Sequence, residues 1–423
     1  MHSKSAELRR RVVITGLGVV SSTGMGKDAF WEAVRDGRSG IRHVSGFACD
    51  DLSSRIAGEI VDFDPADYMA AADARRSGEF VHYSVAAARM ALDDSQLDLT
   101  SIDPFRAGAV FGNSSAGNGN VTDDIYERWM DRGIRGFGST DCVQLATHAA
   151  TAHVFIDMGL RGPNASVASG CCSGVEAISR AAQALREGQA DVMVAGAAEA
   201  CVSRFGMALL CRVGVLSTHN EEPEKASRPY DATRDGLVLS EGAGAVTLET
   251  AHHALERGAP IYAEVRGYGT STEAHHLVVA DPSGVELAYA FRQALQEAHL
   301  APADIDYVCA HGIANLDYDR ADTRAIKKVL GDRAYNIPVS SIKGTTGQPF
   351  AAGGAWQTAA ACMAMRESVV PPTINYHQPD PDCDLDYVPN RARRVRVETV
   401  MVNSHSFGGT HAALILRKFD EAE

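Results

Sequence analysis

Paired cysteine motifs are missing from this chain of 423 residues. Its nine cysteines stand at 49, 142, 171, 172, 201, 211, 309, 362 and 383, an odd number scattered through apolar runs and never spaced as CxxC. Neither a disulfide framework nor a structural zinc site fits that pattern, and no metal is expected. Positive charge is also short. Forty Lys and Arg face 54 Asp and Glu, for a formal net charge of -14, which argues against a nucleic-acid surface built from clustered cations. The one basic run, Arg391, Arg393, Arg394 and Arg396, reads as a solvated strand edge. No apolar stretch is long enough to span a bilayer. Met1-His2-Ser3-Lys4 leads into charge rather than into an apolar signal core. Aromatics are few, but 45% of the residues are hydrophobic, enough for one large or two fused domains. A soluble, cytoplasmic protein of a reducing compartment is expected.

What is present is an alternation of buried strands and amphipathic helices. Val12-Val13-Ile14-Thr15-Gly16-Leu17-Gly18 reads as a strand running into a glycine-rich turn, and Val192–Gly196 and Val400–Asn403 as further buried strands. No third glycine completes a dinucleotide fingerprint after Gly18. Val175, Ile178, Ala182 and Leu185 have helical spacing. This alternation predicts an α/β fold with a covered sheet. A repeat lies beneath it. Arg89-Met90-Ala91-Leu92 is echoed by Arg292-Gln293-Ala294-Leu295, and the Leu97 to Asp103 segment by Leu300 to Asp306, both at the same offset (292 − 89 = 300 − 97 = 203). Two similar halves, 1–255 and 256–423, are expected.

Four segments carry chemistry. In Ser169-Gly170-Cys171-Cys172-Ser173-Gly174 the glycines permit a sharp turn that presents Cys171 to a cleft. The helix that follows is expected to favour the thiolate. Cys172 reads as an inert buried thiol. His311, in Ala310-His311-Gly312, sits where a strand's C-terminal edge meets a ligand crevice. Lys343, in a small-residue loop running to Gln348, needs a carboxylate or backbone carbonyls as partners, with Asp322 and Glu241 as candidates. Asn403-Ser404-His405-Ser406-Phe407-Gly408-Gly409-Thr410 offers backbone N–H groups suited to an oxyanion hole.

Together these segments resemble the β-ketoacyl-acyl-carrier-protein synthases, the condensing enzymes of fatty acid and polyketide assembly. Arg228–Gly236, Glu241-Gly242-Ala243-Gly244 and Phe407-Gly408-Gly409-Thr410 extend the resemblance over nearly the whole chain. It implies a thiolase fold: two duplicated halves in a five-layered α-β-α-β-α arrangement, paired as a homodimer or with a related subunit. It also implies an acyl chain delivered on a phosphopantetheinyl carrier protein, with no other cofactor. Carried over residue by residue, Cys171 is the nucleophile, His311 the first of two histidines and Lys343 an electrostatic support. The N–H groups of Cys171 and Phe407, with Gly408 beside them, form the oxyanion hole, and Phe407 gates the thiol.

The departures all fall on the malonyl half of the reaction. Gln348 stands in the place of the second histidine. His-Gly-Thr-Ser-Thr becomes His311-Gly312-Ile313-Ala314-Asn315, and Asn-Ser-Phe-Gly-Phe becomes Asn403-Ser404-His405-Ser406-Phe407. A glutamine donates a hydrogen bond but carries no proton near neutrality. Losing one preorganised donor costs about 2.7–4 kcal/mol of barrier. His405 reads as a relocated base, and Ile313, Asn315, His276 and Asn403 as pocket-lining residues. The expected activity is acylation of Cys171 followed by non-decarboxylative C–C bond formation or cyclisation, aldol or lactone in type. The competing expectations are an ordinary decarboxylative synthase, a simple acyltransferase, and a non-catalytic partner subunit. Ser114 to Thr140 is expected to shape the acyl pocket, with a mobile loop at 113–120.

Overall fold

The computed structural model describes residue 8, residues 10–115 and residues 119–422; residues 116–118 of the expected loop lie outside them. Eleven strands form one hydrogen-bonded network: β1 (Val12–Ser21), β2 (Gly24–Met25), β3 (Ala107–Gly112), β4 (Asn164–Val167), β5 (Val192–Glu199), β6 (Gly242–Thr250), β7 (Ala263–Thr272), β8 (Tyr307–Cys309), β9 (Val339–Ser340), β10 (Thr399–His405) and β11 (Thr410–Arg417). The order is β9-β8-β10-β11-β7-β1-β6-β5-β3-β4, with β2 hanging on β1. The pairing pattern occurs twice. β4, β3 and β5 run parallel, then β6 and β1 follow antiparallel. Likewise β9, β8 and β10 run parallel, then β11 and β7 follow antiparallel.

Five helices organise the layers: α1 (Glu79–Ser95), α2 (Ser173–Arg186), α3 (Val285–Ala298), α4 (Leu316–Leu330) and α5 (Ala352–Glu367). α1 covers one outer face, against β1, β6 and β5. α3 covers the other, against β7 and β11, with α4 beside it. α2 and α5 pack on each other and touch strands of both halves. The result is α-β-α-β-α. α5 is buried over nearly its whole length, as a central helix must be. The repeat read from the sequence is visible as α1 leading to β3 and α3 leading to β8.

One local expectation is corrected. The glycines after Ile14 do not make a turn, because β1 runs unbroken to Ser21. A Cβ on Gly16 would lie 1.9 Å from the Ala91 carbonyl oxygen, and one on Gly18 at 1.9 Å from that of Ala87. The glycines let α1 press directly on the strand. The basic run does form an exposed edge. Arg393–Arg394 pairs with Val369–Val370, and Arg393 and Arg396 bond Asp386 and Glu398. The cysteines are all free thiols. Among the described residues no helix is long and apolar enough to cross a membrane.

Candidate active site

The site lies where α2, the loop after β8, the Lys343–Gln348 turn and the β10–β11 hairpin converge. Gly170 turns the chain with φ +64°, a left-handed conformation natural only to glycine. One helical turn then places Cys171 just ahead of α2. Cys171 is 5% exposed. Its carbonyl accepts the Ser404 hydroxyl at 2.8 Å, and Gln348 Nε2 donates to its Sγ at 3.4 Å. Gln348 therefore sets an amide donor against the sulfur, and its Oε1 has no protein partner.

The thiol departs from expectation. Burial pushes the Cys171 pKa up to about 11, outweighing the Lys343 cation and the Ser406 hydroxyl, which both pull it down. The helix start does not prevail, because Cys171 lies ahead of α2 and is buried away from water, where a thiolate is poorly solvated. Cys172 is wholly buried, with Sγ against the Ser404 and Thr410 carbonyls, as expected.

His311 extends from the end of β8 and is 1% exposed, and neither ring nitrogen has a protein partner. Burial, then the nearby Lys343 charge, holds its pKa well below the usual histidine range, so the ring is neutral. Its loop is held by α4: Gly312 N–H donates to Asp322 and Ile313 N–H to Asp319, both at 2.9 Å. Lys343 takes the expected backbone carbonyl and neither candidate carboxylate. Its Nζ donates to the His311 carbonyl and to Gln357 Oε1. Asp322 acts on it only through its charge, and is itself bonded by Tyr230, Gly312 and Asn403. Glu241 accepts from Ile60 N–H instead. Burial brings Lys343 down to about 8.

The hairpin engages one of the two expected oxyanion donors, the Cys171 N–H. The Cys171 N–H donates to Ser406 Oγ at 3.0 Å, and the Gly408 N–H to the Leu277 carbonyl at 2.8 Å. Neither is free in this state. Phe407 packs edge-on against Tyr318, 5.8 Å between ring centres, and tilted on Phe350 at 6.3 Å. Ile313 joins the same apolar cluster.

The other pocket residues divide. Asn315 is the N-cap of α4, accepting from Asp317 and Tyr318 N–H, so the helix start claims it rather than a substrate. Asn403 donates to Asp322 at 2.6 Å and braces α4. His276 is exposed, with Nδ1 accepting from Val278 and Val279 N–H in its own turn. His405 is 1% exposed and does reach the site. Its ring lies 6.0 Å from that of His311 and 4.4 Å from that of Tyr318. Burial lowers its pKa despite the opposing pull of Glu273.

Several site residues went unnoticed in the sequence. Ser406 stands at the glycine of the family pattern, a signal present but overlooked beside His405. Gln357 Nε2 donates to the Cys309, Ala310 and Asn403 carbonyls, tying β8 to β10. Glu273, at the end of β7, meets His405 across 132 positions. Only the sheet order brings them together.

Five layers, a buried cysteine on a glycine turn, an imidazole and a lysine facing it: this is the architecture of a thiolase-fold condensing enzyme. The chain belongs to the β-ketoacyl synthase family, matching its N-terminal domain over residues 9–254 and its C-terminal domain over 262–377. It is 40% identical to a 3-oxoacyl-[acyl-carrier-protein] synthase 2 of Coxiella burnetii over 97% of this chain and 100% of the relative. It is 41% identical to a granaticin polyketide putative β-ketoacyl synthase 1 of Streptomyces violaceoruber over 98% and 100%. Among solved structures, a type II polyketide ketosynthase, bound to the hexaketide and in complex with its acyl-carrier protein, superposes with a TM-score of 0.88. The two are 32% identical over 97% of this chain and 100% of that one.

Proposed function

We propose that this chain takes an acyl group from an acyl carrier protein onto Cys171 and forms a C–C bond within that acyl group, without decarboxylating a malonyl unit. In the first step the Cys171 sulfur attacks the carrier thioester, and the carrier thiol leaves with the cysteine's proton. In the second, the neutral His405 takes a proton from the carbon next to the new thioester. The enolate adds to a second carbonyl of the same chain, and the resulting alkoxide closes on the thioester. A lactone leaves, and the Cys171 sulfur recovers the proton. No redox partner is needed.

The observation that carries this reading is the exchange of imidazoles. The position against Sγ has become an amide, Gln348, while a buried imidazole, His405, has entered 6.0 Å from His311. An amide polarises a carbonyl but moves no proton; an added neutral imidazole does. Acyl-carrier delivery is supported by the family and by the carrier complex of the polyketide neighbour. A second chain, identical or related, is supported by exposed Trp129, Met130, Ile134 and Phe137 within the pocket-shaping segment.

The test is His405→Phe, which restores the family residue. Turnover of the natural acyl chain is expected to vanish while Cys171 still acylates to one equivalent by intact mass; undiminished turnover sinks the proposal. A decarboxylative reading has one specific support, since Gln348 Nε2 already lies 3.4 Å from Sγ, where a malonyl carbonyl would need a donor. Carbon dioxide released from malonyl carrier protein separates the two.

A further inference from the structure

His405 and His411 are cross-strand partners on β10 and β11, with ring centres 4.2 Å apart and the planes inclined at 63°. Both present Nε2 to one carboxylate oxygen, Glu273 Oε1, at 2.8 Å from His405 and 3.3 Å from His411. Only the His405 contact has hydrogen-bond geometry. The other carboxylate oxygen, Oε2, accepts the Asp281 N–H at 3.1 Å, and the Glu273 N–H donates to the Gly409 carbonyl at 2.8 Å. The carboxylate is therefore clamped, and all three side chains are at most 2% exposed.

From this arrangement the geometry points to Glu273 as a positioning residue that holds His405 in the tautomer protonated at Nε2, leaving Nδ1 bare as the base. The inference rests on the proposed role of His405. A carboxylate only accepts, so the nitrogen facing it carries the hydrogen, and a neutral imidazole then has its lone pair at the other nitrogen. That nitrogen, His405 Nδ1, is buried without a protein partner; in the proposal it is the atom that meets the substrate C–H. The three side chains would also suit a divalent cation, whose ligand atoms must lie as close as these do. A metal-bound imidazole, however, keeps its second nitrogen hydrogen-bonded, and both Nδ1 atoms here lack that bond. His411 flanks the same carboxylate oxygen at a longer 3.3 Å, so the closer imidazole on Glu273 is that of His405 at 2.8 Å.

Nitrogen-15 NMR of the histidine-labelled full chain at pH 7.5 tests this, with the His405 resonances assigned by their loss in His405→Phe. The expected spectrum has a proton on Nε2 and a pyridine-like Nδ1. Glu273→Gln is expected to shift both nitrogens toward averaged values and to lower turnover about 100-fold, with Cys171 acylation unchanged and partial recovery in Glu273→Asp. A proton on Nδ1 in the unaltered protein overturns the proposal. So does one equivalent of divalent metal by elemental analysis, lost in both Glu273→Gln and His411→Asn. If the tautomer is as stated but His405→Phe turns over normally, His405 is not the base and the proposed function falls, while the Glu273–His405 pairing survives as a structural feature.

Discussion

Ser406→Gly should change how Cys171 reacts in two opposite ways that can be measured separately. The Ser406 hydroxyl accepts the Cys171 N–H at 3.0 Å, both groups being buried. A thioester oxygen that is to use this N–H must first displace the hydroxyl. A neutral hydrogen bond contributes about 0.5–1.5 kcal/mol net. Taking ~1 kcal/mol, its removal should speed acyl transfer about fivefold. The same hydroxyl also lowers the thiol's pKa, so its loss leaves less thiolate. Iodoacetamide alkylation needs thiolate and no oxyanion hole, whereas acylation needs both. The ratio of acylation rate to alkylation rate is thus the quantity to follow, by intact mass over time. It should rise about fivefold in the variant, even if both rates fall. The glycine itself weakens the fold by at most ~1 kcal/mol. A ratio that drops tenfold or more would refute the reasoning, because it would make the hydroxyl itself the donor to the oxyanion.

Lys343→Met removes a cation that holds the buried Cys171 thiol, at about 11, lower than burial alone would place it, so the pH at which alkylation accelerates should move higher; an unmoved profile would mean that Lys343 acts only on the His311 carbonyl. Gly170→Ala should abolish acylation in a folded protein, since the residue sits at φ +64° and its Cβ would come within 2.0 Å of Ser406 Oγ; circular dichroism checks the fold. Glu249 is fully buried and held by Thr15, His253 and Arg257; burial raises its pKa, but these bonds prevail and set it at about 2. A depressed carboxyl stabilises above its unfolded pKa of 4.5 and loses that contribution as pH falls through 2. Glu249→Gln should therefore cost about 3 kcal/mol in urea unfolding at pH 7, and the gap should close towards pH 2; an equal gap at both pH values would contradict this.

The fold was legible because its signals are periodic or repeated. The 203-residue offset marks helix–turn–strand units that appear as α1 with β3 and α3 with β8. Gly16 and Gly18 misled because a glycine that admits a helix looks the same in sequence as one that turns the chain. The candidate residues were legible as motif positions: Cys171, His311, Lys343, Gln348 and His405 do lie close together. Their electrostatics were not. The Cys171 thiol is governed by burial rather than by the helix it precedes, and of the two partner types expected for Lys343 the backbone carbonyl, not Asp322 or Glu241, is the one it takes. Asn315 and His276 were assigned by proximity to motifs, whereas local backbone donors claim both side chains. Glu273 was out of reach because β7 comes beside the β10–β11 hairpin only through the sheet order.

The central claim is that acylation of Cys171 is not followed by malonyl decarboxylation. Purified protein incubated with an acyl-carrier-protein thioester, with and without malonyl carrier protein, and followed by intact mass and CO2 release, tests it most directly. The account predicts an acyl adduct on Cys171, no consumption of malonyl carrier protein and no CO2. A two-carbon extension with stoichiometric CO2 would contradict it and make Gln348 a sufficient replacement for the second histidine.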